Sequence, residues 1–125
     1  MIMKLYLLVA LSGAIGSVLR YSLYVITPKI INYNFPISTI FVNLVGSFFI
    51  GFSVVFFNKN IFPMEYKIFV IYGLLGGFTT YSSFSLDLFN LLDKGSYIYA
   101  FNYIFITVIF GLIFFYFGQK FADFL

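Results

Sequence analysis

The chain has 125 residues, 62% hydrophobic and 9% charged, with a net charge of +3 and neither cysteine nor histidine. A soluble domain of this size cannot hide that much apolar surface, so composition points to an integral membrane protein. It excludes disulfides, thiolate chemistry and a histidine base, and the charge is too small to argue for nucleic acid.

The charged residues punctuate four apolar runs, and the chain has room for four spans and little else. Span 1 is expected at about 5–26, interrupted by Arg20. The start could pass for a signal peptide, but its apolar stretch continues past any plausible cleavage site. Pro28, Lys29, Asn32, Asn34 and Pro36 then read as a loop. Span 2 is "ISTIFVNLVGSFFIGFSVVFF", residues 37–57. At 1.5 Å per residue it reaches roughly 31 Å, one bilayer core. "NKNIFPMEYK" is the next loop, span 3 runs from 68 to 86 or as far as about 90, "DKGS" is a tight turn, and span 4 is about 97–118. Short connections predict antiparallel packing of consecutive helices.

Four spans place both termini on one side, with Lys4, Lys59, Lys67 and Lys120, against Arg20, Lys29 and Lys94 on the other. This near balance carries almost no positive-inside bias. Two readings follow: one weakly biased orientation, or insertion both ways, which leads naturally to an antiparallel homodimer. Ser12/Gly16, Gly13/Ser17 and Ser47/Gly51 lie four apart, a spacing that lets helix backbones approach closely.

Polar residues at depth each admit two readings. Asn43, with Ser47 one turn on, is interhelical glue or a donor on a polar track. Arg20 snorkels to the headgroups or sets a positive charge at a vestibule. Thr107, four after Tyr103 and followed by Gly111, bonds a carbonyl one turn back or lines a path.

Span 3 holds "GGFTTYSSFS", residues 76–85. Gly73, Gly76 and Gly77 weaken the helix at its centre, and Thr79 adds a β-branched residue with a competing hydroxyl. The combination predicts a helix that breaks at mid-membrane and resumes. Lipid cannot satisfy the exposed carbonyls, so they are buried in protein or bind an ion such as Na⁺. The other reading is a packed glycine kink satisfied by its own hydroxyls. Beyond the break, Tyr81 and Phe84 share one helical face, and their ring edges carry partial positive charge. Edges and neutral donors such as Asn43 and Thr107 can meet an anion without a lysine that would hold it too tightly.

At these positions the chain resembles the Fluc or CrcB family of fluoride channels. "GGFTTYSSFS" is similar to that family's GGxTTFSTF, and "GAIGSVLRY", "NLVGSFFIG" and Tyr103-x-x-x-Thr107 with Gly111 are similar to its motifs in the other spans. The resemblance covers nearly the whole chain, in order. It implies an all-α membrane protein with four transmembrane helices, the third broken, assembled as an antiparallel, dual-topology dimer with a central Na⁺ at the interface. Such a protein exports fluoride passively across the plasma or inner membrane. By motif position, Gly76 and Thr79 would offer backbone carbonyls to Na⁺, and Asn43 would donate to fluoride. Phe84 and Tyr81 would be the pore rings, Tyr103 and Thr107 would line the polar track with Ser47, and Arg20 would sit near the vestibule. The chain departs from the pattern at Tyr81, where phenylalanine is usual, at Ser83, where threonine is, and at Thr107, where serine is common.

Tyr81 raises the alternative of one subunit of an obligate heterodimer; the lysine balance favours a homodimer. A small multidrug exporter would need an acidic residue in span 1, which has none, leaving Asp87 near a helix end as the nearest candidate. A purely structural subunit would use the same polar residues as glue. An enzyme is not expected, because there are no paired carboxylates, no nucleophile with a base and no phosphate loop.

Overall fold

The computed structural model describes residues 1–31, 34–59 and 62–125. Asn32, Asn60 and Ile61, all expected in loops, lie outside the described residues. The described chain is all-helical, with four helical stretches long and apolar enough to cross a membrane. Helix α1 is Ile2–Ile30 and α2 is Ile37–Asn58. The third span, Met64–Asp93, is two helices: α3 over 64–78 and α4 over Tyr81–Asp93. The fourth span, α5, is Tyr97–Phe124.

Pro28 and Lys29, expected in a loop, lie in the last turn of α1. Proline's fixed φ is helical, and the helix ends two residues later, where the Ile31 N–H still reaches the Thr27 carbonyl at 2.9 Å. Pro36 and Pro63 stand immediately before α2 and α3. The turn after α4 is closed by Gly95 at φ 70°, with Gly95 N–H on Leu92 O and Ser96 N–H on Leu91 O, both 2.9 Å. That is a Schellman end, and the left-handed φ is what glycine supplies there.

The most extensive packing joins alternate spans rather than consecutive ones: α1 with α3, and α2 with the second half of α5. Small residues decide this. A Cβ on Gly16 would run into the Leu74 carbonyl, and one on Gly77 into the Gly13 backbone. Across the other pair, a Cβ on Gly51 would meet the Phe115 carbonyl and one on Gly118 the Phe48 carbonyl. Dispersion between closely approaching backbones, rather than burial of apolar surface from water, holds helices together in lipid. The small-residue spacings read from the sequence are thus used within the chain. The apolar side chains that point outward face what is, for this composition, acyl chain.

Two stretches are wound more widely, with i→i+5 bonding: Ile68–Leu75 in α3 and Ile106–Phe110 in α5. Both adjoin the break between α3 and α4. Beneath it lies a small core of Ile40, Phe84, Leu91, Ala100 and Tyr103.

Candidate functional site

The third span breaks at Thr79 and Thr80, whose backbones are extended (φ −76°, ψ 156° and φ −153°, ψ 120°). The sequence placed the weakness at the glycines, but 76–78 remain helical. Two captures fix the break slightly later. Thr79 closes α3, its N–H and its hydroxyl both donating to Leu75 O at 2.9 Å. Thr80 opens α4 as its N-cap, its Oγ1 accepting the Ser83 N–H at 3.1 Å. The hydroxyls of Ser82 and Ser83 lie 3.2 and 3.1 Å from the same oxygen, and Ser85 donates to the Tyr81 carbonyl. Much of the hydroxyl-rich motif therefore ends one helix and starts the next.

Asn43 of α2 bridges the break. Its Nδ2 donates to Thr80 O at 3.0 Å and its Oδ1 accepts from Thr80 N at 2.8 Å. One side chain thus satisfies both backbone groups of a residue that no helix can serve. A carboxamide carries two N–H hydrogens, so one remains for another acceptor. Gly46, a turn below, gives the break room: a Cβ there would collide with the Thr79 methyl. Among the described residues no hydrogen bond reaches the carbonyl oxygens of Gly76 or Thr79. These are hard oxygen donors of the kind that suits a dehydrated alkali cation.

Asn43, Ser47, Thr79, Tyr81, Phe84 and Thr107 line one groove of about 440 Å³ between α2, α4 and α5. Its described lining contains no charged side chain. Thr107 lies in the widened stretch of α5, and its buried Oγ1 has no hydrogen-bond partner among the described residues. The simple expectation for a threonine in a membrane helix, a bond to the carbonyl one turn back, does not hold here. A buried hydroxyl without a partner is costly, and the Thr107 Oγ1 remains available to an acceptor.

The rings form a ladder. Tyr81 and Phe84 are 5.7 Å apart between centroids at 38°, and Phe84 and Tyr103 are 5.1 Å apart at 31°. Tyr81 is 80% exposed at the lip while Phe84 is 8% exposed. Tyr103 does not line the groove; it is fully buried behind Phe84, its hydroxyl donating to Asp87 Oδ2 at 3.2 Å. Arg20 is not brought to the groove either: it sits half-buried on α1, with no ion pair or hydrogen bond among the described residues.

Sequence reasoning passed over Thr80, Thr39 and the setting of Asp87. Thr39 donates to Asp87 Oδ2 at 2.5 Å. The spacing Thr39, Asn43, Ser47 puts three polar residues on one face of α2, and this was a readable signal. Nothing local marks Asp87 as a partner of Thr39, 48 residues away.

Comparison with known proteins agrees in extent with the motifs. A family model described as "CrcB-like protein, Camphor Resistance (CrcB)" matches residues 7–119. Proteins named "Fluoride-specific ion channel FluC" are similar over most of their length. That of Helicobacter pylori (strain G27) is 44% identical over 110 residues, 86% of this chain and 85% of the relative. That of Helicobacter acinonychis (strain Sheeba) is 44% identical over 110 residues, covering 86% and 87%. That of Thermus thermophilus is 41% identical over 118 residues, 94% of each.

Proposed function

The chain belongs to the CrcB family, and from that premise and the groove we infer that it is a multi-pass membrane channel conducting fluoride. It lets the anion leave the cytoplasm passively, across the plasma or inner membrane. The observation that carries this reading is the groove itself, lined by neutral donors and aromatic rings with no charge among the described lining residues.

Fluoride is small and strongly hydrated, so desolvation is the main barrier to its passage. The free N–H of Asn43 and the unpartnered Thr107 hydroxyl stand where they can replace water one contact at a time. The positive edges of Phe84 and Tyr81 bridge the distance between donors. Fixed cations would bind the ion more tightly, but it has to leave as well as enter. No proton or nucleotide coupling is needed.

The groove is open on one side and Tyr81 lies exposed at its lip, so a second copy would close it. We place that copy antiparallel, a dual-topology homodimer, because the lysine balance favours both orientations. The unbonded carbonyls of Gly76 and Thr79 fit an Na⁺ held between the two chains. When bound, Na⁺ would satisfy the broken helix and add positive potential between the paths. A cation exporter is disfavoured, since Asp87 is engaged by Thr39 and Tyr103 rather than facing the groove. The test is fluoride efflux from proteoliposomes containing only this chain, with Na⁺ present and chloride as control. Fast fluoride release without chloride release is expected; well-folded protein that releases neither overturns the homodimeric reading.

A further inference from the structure

The first and third spans run in the same direction and pack together, so their first turns meet at one membrane face. There α1 and α3 enclose a groove of about 670 Å³, larger than the 440 Å³ groove of the ion path, with which it shares no described lining residue. Lys4 and Glu65 stand at its outer end, with the lysine Nζ 3.7 Å from the carboxylate Oε1. Tyr66 stands beside them. Leu8, Phe69 and Val70 line the groove one turn further in, about 6 Å deeper at 1.5 Å per residue. Tyr66 and Val70 also line a second groove of about 270 Å³ between α2 and α3, whose other walls include Phe52, Phe56 and Phe62. The described lining of that second groove carries no charge.

A purely apolar outward face is covered by any acyl chain and selects none. This groove differs, because both signs of charge stand at its mouth. The pair is loose: 3.7 Å is beyond hydrogen-bond length, and the two side chains are 68% and 44% exposed. Such a pair contributes little to the fold, so each group exchanges its partner at small cost. We propose that the groove is a site for an aminophospholipid, phosphatidylethanolamine, held by its zwitterionic headgroup. That headgroup carries the complementary set, a phosphate that accepts from Lys4 and, two carbons away, a primary ammonium that donates to Glu65. One acyl chain follows Leu8, Phe69 and Val70 inward. The second has the aromatic groove on the other side of the ridge made by Tyr66 and Val70. Tyr66 itself sits at headgroup level, where amphipathic rings gather. Other headgroups match less well. The quaternary ammonium of phosphatidylcholine has no N–H for Glu65, and an anionic lipid satisfies Lys4 but brings its negative charge up to Glu65. The site lies outside the ion path and does not depend on what that path conducts.

The chain contains no tryptophan, so Tyr66→Trp puts a single indole fluorophore at the groove. The protein is reconstituted in phosphatidylcholine vesicles, and lipids with brominated acyl chains, which quench a neighbouring indole, are titrated in. Phe117→Trp, at an outward position of α5 that is 57% exposed, reports ordinary surrounding lipid. Brominated phosphatidylethanolamine is expected to quench Tyr66→Trp at a several-fold lower mole fraction than brominated phosphatidylcholine, with no such difference in Phe117→Trp. Adding Glu65→Gln should bring the ethanolamine lipid to the choline level. Adding Lys4→Gln should weaken quenching by the ethanolamine lipid and by phosphatidylglycerol alike. Equal quenching by the ethanolamine and choline lipids, or a preference that survives Glu65→Gln, overturns the proposal. Stronger quenching by phosphatidylglycerol than by phosphatidylethanolamine also overturns it, in favour of an anionic-lipid site on Lys4 alone. Native mass spectrometry of the unsubstituted chain supplies a readout without the reporter. Phosphatidylethanolamine adducts should exceed phosphatidylcholine adducts at equal concentration and fall in Glu65→Gln. Adducts in equal amount overturn the proposal even if quenching differs.

Discussion

Asn43 holds Thr80 by both ends of its peptide, donating to the carbonyl at 3.0 Å and accepting from the N–H at 2.8 Å. A side chain of α2 thereby supplies what a helix would otherwise supply to its own backbone. Asn43 is thus structural, and the same amide keeps a second N–H for which the channel reading supplies a use. Asn43→Asp should separate the two roles poorly and fail at both. An ionised carboxylate cannot donate to Thr80 O, and it puts a negative charge on an anion path. The expected result is undetectable fluoride flux with a stability decrease of about 1–3 kcal/mol, the usual effect of leaving a buried group unsatisfied. Efflux and thermal unfolding in detergent are the measurements, and wild-type flux in this variant would remove Asn43 from the path.

Phe84 offers a cleaner separation. It is buried between Tyr81 and Tyr103 in the ring ladder and forms no hydrogen bond. Phe84→Ile keeps an apolar side chain of somewhat smaller volume, so assembly should survive, with a stability change of about 1–2 kcal/mol. The ring is gone, and with it the contact that on the channel reading carries the anion between donors. Flux should be abolished while size-exclusion behaviour is unchanged. Fluoride release near the wild-type rate would sink the ring-edge account.

Tyr81 is one of three positions, with Ser83 and Thr107, where the chain departs from the motif pattern it resembles, and the structure puts it at the exposed lip of the groove. Its ring lies against Phe84 at a 38° tilt, so the ring is positioned whatever its substituent. Tyr81→Phe should therefore conduct, with a rate within about a factor of ten of wild type, while Tyr81→Ile should lose most flux. If Tyr81→Phe gains activity from a wild type that has none, the natural chain is the impaired half of a heterodimer.

How much of this was legible in the sequence depends on the range of the interaction. The four spans follow from apolar run length. The break follows from Gly76, Gly77 and Thr79 in close succession, although its position at Thr79–Thr80 does not. That position is set by Asn43, 37 residues away, and by the Thr80 cap on α4. Asn43, Ser47, Tyr81, Phe84 and Thr107 were each visible as polar or aromatic groups out of place, and the fold brings them to one groove. Tyr103 shares a face with Thr107 by spacing alone, yet Phe84 covers it. The pairing of alternate spans was misread because short loops suggest that neighbours in sequence pack best. Glycine-lined contacts, such as Gly77 against Gly13, outweigh loop length.

Thr80 shows that a hydroxyl can matter to the fold without touching an ion. Its Oγ1 accepts the Ser83 N–H as the cap of α4. Thr80→Val keeps the shape and removes the acceptor, at a cost of about 1 kcal/mol. The loss should appear as faster amide exchange over the first turn of α4, with flux reduced in proportion to the unfolded fraction. A collapse of flux with no change in exchange would instead place the Thr80 hydroxyl on the path.

Thr107 gives the opposite case, and it is the sharpest test between a channel and a purely structural protein. If polar residues in these spans were only glue, removing one would weaken the fold. The Thr107 hydroxyl bonds nothing among the described residues, so it has no hydrogen bond within the fold to lose. Thr107→Val is nearly isosteric and deletes a buried unsatisfied group, which should leave stability unchanged or raise it by about 1 kcal/mol. On the channel reading a donor on the fluoride path is lost at the same time, so flux should fall about ten-fold or more, the factor that corresponds to about 1.4 kcal/mol in a barrier. Stability and transport would then move in opposite directions from one atom's removal. If the variant is destabilised and its flux per folded molecule is unchanged, Thr107 is glue after all, and the unpartnered oxygen is not a ligand's place.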